Sequence, residues 1–109
     1  MDFPVIIDQA GPLPISADVK WPSSETVIVA VSGTAYAQSP GAMLRVRLYI
    51  KNTWIGSIQL LANHAAQHVM LPTGFLPTTG EYGEFTVSLT AEPGTLTDQN
   101  DRFTVALLY

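Results

Sequence analysis

The sequence predicts an all-β chain: a single antiparallel β-sandwich of jelly-roll or immunoglobulin-like topology, with residues 1–109 as one domain. Three observations carry that prediction. Apolar and polar residues alternate strictly over residues 84–90 and again over residues 102–105, with Leu107 and Tyr109 continuing the same phase, the two-residue period of a half-buried strand. Eight prolines and eight glycines, spread through the chain, divide it into short segments. Helical periodicity is weak throughout; only residues 61–68 approach it, and that octet is too short and too poorly capped for more than one turn. Short strands with no helices between them pack as a sandwich, and periodicity alone does not choose between the two topologies.

Taken in order, residues 3–7 read as an edge strand, because Pro4 has no amide proton for an inner ladder. Residues 13–19 contain Pro14 and read as another edge or bulged piece. Residues 26–32 are apolar on both faces, with Val27, Val29 and Val31 on one side and Ile28 and Ala30 on the other. Such a strand is expected to be central, covered on both sides or packed at a subunit contact. Leu44, Val46, Leu48 and Ile50 then alternate with Met43, Arg45, Arg47 and Tyr49; Lys51, Asn52 and Thr53 turn the chain, and residues 54–61 return as a hairpin partner. Residues 68–71 form a further strand, followed by a Pro- and Gly-rich connection over residues 72–80. Phe85, Val87 and Leu89, then Phe103, Val105, Leu107 and Tyr109, mark two final strands expected to close as a hairpin around residues 92–101.

Composition narrows the function. A chain of 109 residues buries a core without staples. Apolar content of 47% against 13% charged residues favours an exposed apolar face and a homo-oligomer. A net charge of −4 with five basic residues argues against nucleic acid, and Arg45 and Arg47 read as a solvated or cross-strand-paired stripe. Without cysteine there are no disulfides and no thiolate chemistry. The amino terminus carries Asp2 where a signal peptide has basic residues, so a cytoplasmic protein or one exported by a non-classical route is expected. No apolar run approaches the roughly 18 residues of a membrane span.

Enzyme chemistry finds little support, and the expectation is a protein that is not an enzyme. His64 and His68 are four apart, as helical metal ligands often are, yet no carboxylate lies near them in sequence and both read as exposed loop histidines. No serine sits in a nucleophile elbow, and no glycine loop cradles phosphate. The carboxylate pairs Glu81/Glu84 and Asp98/Asp101 lack an apolar setting that raises a pKa. Residues 92–101 are different: Glu92, Thr95, Thr97, Asp98, Asn100 and Asp101 offer the hard oxygens that calcium takes six to eight at a time. The same residue types also form turns by bonding their own backbone, so both readings stand.

Pro93-Gly94-Thr95, with Phe103-Thr104-Val105 at a fixed distance, resembles the closing hairpin of the LecA-type galactophilic bacterial lectins, small calcium-dependent β-sandwiches. The stretch over residues 26–36, ending Gly33-Thr34-Ala35-Tyr36, is similar to that family's early strand running into a tyrosine. The likeness covers about a third of the chain. It implies a metal held by the backbone of Tyr36 and Thr95 and by Asp98, which stands at the family's first asparagine, while Gln99 stands at the second. Asn100 and Asp101 complete the expected metal set, and Tyr36, Gln99 and Asp101 the expected ligand contacts. Ala91 replaces the family's aspartate, and residues 37–41 do not match its sugar-contacting positions.

Trp21, Tyr36, Tyr49, Trp54, Tyr82 and Tyr109 are rings able to stack on a pyranose, and equally ordinary core or interface residues. The leading expectation is a lectin-like carbohydrate-binding module that uses calcium and gains avidity by multivalency. The alternative is a structural or interaction subunit of a particle, appendage or multi-component toxin, with Asp98 and Asp101 as turn formers only.

Overall fold

The computed structural model describes residues 3–22, 25–79 and 83–109, and among them there are strands and turns but no α-helix. In chain order the strands are β1 (Val5–Ala10), β2 (Ile15–Trp21), β3 (Thr26–Ala35), β4 (Met43–Ile50), β5 (Thr53–Leu61), β6 (Val69–Met70), β7 (Gly74–Thr79), β8 (Gly83–Ala91) and β9 (Arg102–Leu108). Two antiparallel sheets stack face to face. One has the order β1-β9-β3, with β7 and β6 both on the far edge of β3; the other has the order β2-β8-β4-β5. Successive strands change sheet except across the β4–β5 turn and between β6 and β7. That interleaved order is a jelly roll, which settles the topology that periodicity left open.

Alternation becomes two faces, as the pattern requires. Val27, Val29 and Val31 of β3, with Phe103, Val105 and Leu107 of β9, meet Leu44, Val46 and Leu48 of β4 and Val87 and Leu89 of β8, all at 1% exposure or less. Each such side chain contributes about 1.5–3 kcal/mol relative to exposure. Lys51 and Asn52 take positive φ values of 52° and 62°, the two-residue turn whose twist suits a hairpin, and Ile50 pairs with Thr53 across it.

Two expectations are corrected and one is narrowed. The last two strands are not a hairpin: β8 pairs with β2 and β4, and β9 with β1 and β3. Residues 92–101 therefore arch from one sheet to the other, because alternation fixes which way a strand faces and not which strand it meets. β3 is central, and of the two settings expected for it the chain itself provides cover on one side only, since Ile28 stays 38% exposed, which leaves a subunit contact as the other. The Pro- and Gly-rich connection contains β7, which runs along β3 as an edge strand and so tolerates Pro77 opposite Ile28. The weak helical octet is the end of β5 followed by a turn around Ala66. Met1, Asp2, Gly80, Glu81 and Tyr82 lie outside the described residues. Among those described, no helix is long and apolar enough to cross a membrane.

Candidate functional site

The arch over residues 92–101 is tied down along its length. The Thr95 amide donates to the Glu92 carbonyl at 2.9 Å, and the Thr95 hydroxyl accepts the Arg45 amide at 2.8 Å. Tyr36 and Leu96 exchange backbone hydrogen bonds of 2.9 and 2.8 Å. The Thr97 hydroxyl accepts the Leu13 amide at 3.0 Å. Gly11 permits the closest approach. Its amide donates to the Asp101 carbonyl at 2.7 Å, and a Cβ there would stand 2.6 Å from the Asp98 carbonyl oxygen.

Asp101, immediately before β9, is the hub, with no exposed surface. Its Oδ1 accepts the Thr34 hydroxyl at 2.6 Å and a hydrogen bond from His68 Nδ1 at 2.7 Å. Its Oδ2 accepts the Asp98 amide at 2.9 Å. Asp98 is half-buried; its Oδ1 caps the Asn100 amide at 2.8 Å, and its Oδ2 lies 3.6 Å from His68 Nε2. The imidazole therefore sits between two carboxylates. Its pKa is raised from the ordinary 6.5, chiefly by the hydrogen bond to Asp101; the negative charges of Asp101 and Asp98 add to this, and desolvation opposes it. The Tyr36 ring packs on the same imidazole, with centroids 4.3 Å apart and planes inclined at 37°.

Of the residues expected to hold a metal, the structure brings together the side chains of Asp98 and Asp101. One ligand atom from each, with one from His68, lie within 4.8 Å of one another. Tyr36 is beside them through its ring, while its carbonyl already accepts the Leu96 amide. Thr95 is buried and its hydroxyl serves Arg45. Asn100 and Gln99 are exposed, and Asn100 meets Asp98 through its amide. Expected as an exposed loop histidine with no carboxylate near it in sequence, His68 is exposed and in a loop, but its carboxylates come from 30 and 33 positions away. Thr34 went unnoticed too. The signal for both was indirect, a polar pair at the end of one strand and the start of another that β3 brings alongside. His64 is exposed and takes no part in the group.

The donor chemistry fits a hard cation in part. Asp98, Asp101 and Thr34 present the carboxylate and hydroxyl oxygens that calcium prefers. Imidazole suits borderline metals instead, and as imidazolium it competes with a cation for the same two carboxylates. A shallow hollow of about 210 Å³, lined by Ala37, Gln38, Ser39, Ala42, Gly94 and Leu96, borders the same arch. A larger cavity of about 390 Å³ opens at the opposite end of the sandwich, between Trp21, Lys51, Thr79 and Phe85.

No protein-family model matches the chain, and no curated protein sequence does. Among solved structures it is similar to a carbohydrate-binding module, CBM36, in complex with calcium and xylotriose. The TM-score is 0.51 at 17% identity, over 92% of this chain and 75% of that one. It is also similar to the CBM36-1 domain of a multidomain xylanase from the hindgut metagenome of Trinervitermes trinervoides. There the TM-score is 0.52 at 15% identity, over 92% of this chain and 72% of that one. At these identities the likeness establishes the β-sandwich fold. The resemblance to LecA-type lectins rests on the sequence motifs alone.

Proposed function

We propose that the chain is a non-catalytic carbohydrate-binding module, with its sugar contact at the end of the sandwich formed by Tyr36, His68, Asp98 and Asp101. The observation that carries the reading is the convergence of two carboxylates from one arch with an aromatic ring and an imidazole from other elements. The fold shared with two carbohydrate-binding modules supports it. An enzymatic reading of His68 and Asp101 fares worse. The Thr34 hydroxyl donates to the aspartate rather than meeting the imidazole, and His68 Nε2 faces a second carboxylate, so no nucleophile is placed for activation.

Asp98, Asp101 and Thr34 are the residues that would hold calcium, which when bound offers sugar hydroxyls a hard electrophilic partner. Titration with xylotriose and with galactose, in calcium and in chelator, tests the reading. Calcium is expected to raise both the melting temperature and the affinity, and Asp98→Ala to remove the gain. Identical melts in calcium and chelator refute the metal; no binding to any glycan refutes the module. Galactose preference, which the LecA resemblance implies, is decided by the same titration.

Multivalency is part of the proposal. Part of the outer side of the five-stranded sheet is apolar, with the row Val5, Ala106, Ala30 and Phe75 running across four strands and Ile28 beside Leu108 and Pro77. Val5 is 57% and Phe75 62% exposed. A second copy covering that face yields a homo-oligomer whose sites act together. Sedimentation as a monomer at all concentrations refutes it. Sedimentation as a large regular assembly with no glycan retention favours the alternative, a structural subunit.

A further inference from the structure

We propose that the outer face of the four-stranded sheet is a second glycan-contact surface, centred on Trp54 and the Arg45–Glu92–Arg47 cluster, and built for an extended stretch of neutral pyranose polysaccharide. The inference deepens the carbohydrate-binding reading and rests on it, but uses none of the metal-site side chains.

Trp54 is 60% exposed, yet its ring is held. The indole N–H donates to the Gly56 carbonyl at 3.1 Å and to the Ser57 hydroxyl at 3.2 Å. The Arg47 guanidinium lies 5.7 Å from the ring centroid. A large aromatic surface that is already fixed loses little freedom when a ligand covers it. Cross-strand pairing sets Trp54 beside Tyr49, Ser57 beside Arg47 and Gln59 beside Arg45. Side chains on this outer side stand in line along β4, about 3.3 Å per residue.

The polar groups are equally fixed. Arg45 Nε donates to Gln59 Oε1 at 2.9 Å, and Arg45 and Arg47 both reach the Glu92 carboxylate, at 3.0 and 3.2 Å. Planar guanidinium groups held in this way present further N–H donors in set directions.

The occupant follows from the mixture. The apolar residues of this face are split, Trp54 beside Tyr49 at one end and the exposed pair Met43–Leu61 at the other with the charged cluster between them, so no single patch is wide enough for protein docking. The Trp54 ring and its charged neighbours match a pyranose, which offers a C–H face for stacking and a rim of hydroxyls for the charged groups. Two arginines share one glutamate here, so the cluster offers N–H donors for hydroxyl lone pairs beside the carboxylate and Gln59 acceptors for hydroxyl protons.

Affinity electrophoresis in soluble xylan, with calcium and with chelator, tests the assignment on the wild type, Trp54→Ala, Trp54→Phe and Asp98→Ala. Wild type is expected to keep residual binding in chelator. Trp54→Ala should lose that residue and, in calcium, bind about tenfold more weakly. Trp54→Phe should restore most of it, which a general folding defect would not. Trp54→Ala indistinguishable from wild type in both conditions overturns the surface while leaving the arch site intact. Asp98→Ala indistinguishable from wild type in calcium, with Trp54→Ala impaired, overturns the arch site and leaves this one. A wild type that binds only after carboxyl groups are introduced into the xylan overturns the neutral ligand.

Discussion

Two charged clusters sit at either end of one arch, and they differ in the burial of the carboxylate at their centre. Around Asp101 the carboxylate has no exposed surface and both its oxygens are filled by Thr34, His68 and the Asp98 amide. Around Glu92 the carboxylate is 26% exposed and its arginines about a third. Asp101 positions the chain: it joins the end of β3, the turn before β6 and the arch, and removing this buried carboxylate leaves the groups it binds without their acceptor, although His68 and Asp98 are themselves 34% and 39% exposed. The half-exposed cluster is screened by solvent, adds little to stability, and keeps groups that a ligand can reach. Identical kinds of bond thus centre on a fully buried carboxylate at the arch end proposed for metal and sugar, and on a partly exposed one at the other end.

Asp101→Ala probes the larger side of that contrast. It removes the acceptor shared by the Thr34 hydroxyl, the Asp98 amide and the His68 imidazole, the last still in reach of water, and the expected loss is about 3 kcal/mol in urea unfolding. A loss below about 1 kcal/mol would put Asp101 on the same footing as Glu92 and erase the distinction.

Gly11→Ala comes next, attacking the buried cluster through packing rather than charge. The added methyl meets the Asp98 carbonyl at 2.6 Å and the Phe103 ring at 3.2 Å. Overpacking of that kind costs about 1–3 kcal/mol. The displaced Asp98 should also blunt any calcium-induced rise in melting temperature, while residual xylan binding in chelator stays as in wild type.

The sequence made the sandwich legible because alternation and punctuation are local. Val27, Val29 and Val31, like Phe85, Val87 and Leu89, face inward as their spacing requires. Pairing is not local. The equal alternation of β8 and β9 invited a hairpin, and only the sheet order reveals an arch between layers. Pro77 and Gly74 concealed β7, since an edge position forgives residues that an inner strand would not. At the site, Asp98 and Asp101 were visible as oxygen donors close in sequence. His68 and Thr34 were not, because their partner lies 33 and 67 positions away and reaches them only through β3. Asn100 and Thr95 looked equivalent to the aspartates by composition; one is exposed and the other is committed to Arg45.

Glu92→Gln sharpens the comparison from the exposed end. Its two arginine contacts weaken without leaving a buried charge stranded, so a loss within about 1 kcal/mol is expected. The melting temperature should become less sensitive to salt, since screening then has less to remove. A loss as large as that of Asp101→Ala would show that exposure does not separate the clusters.

The smallest effect is the pH dependence carried by His68, measured in chelator so that no metal competes for the carboxylates. Its folded pKa lies above the ordinary 6.5, mainly through the hydrogen bond to Asp101. A group raised in this way binds its proton more tightly in the native state than in the unfolded chain. Its contribution is therefore complete below about pH 6.5 and is lost as the pH rises through the folded value. Stability should fall modestly from mildly acidic to mildly alkaline conditions, and His68→Gln should flatten that slope. A slope that survives the substitution would assign it to other groups and leave His68 a neutral neighbour of Tyr36. A slope of opposite sign would mean that desolvation outweighs the two aspartates, and that the buried end of the arch does not concentrate negative charge at all.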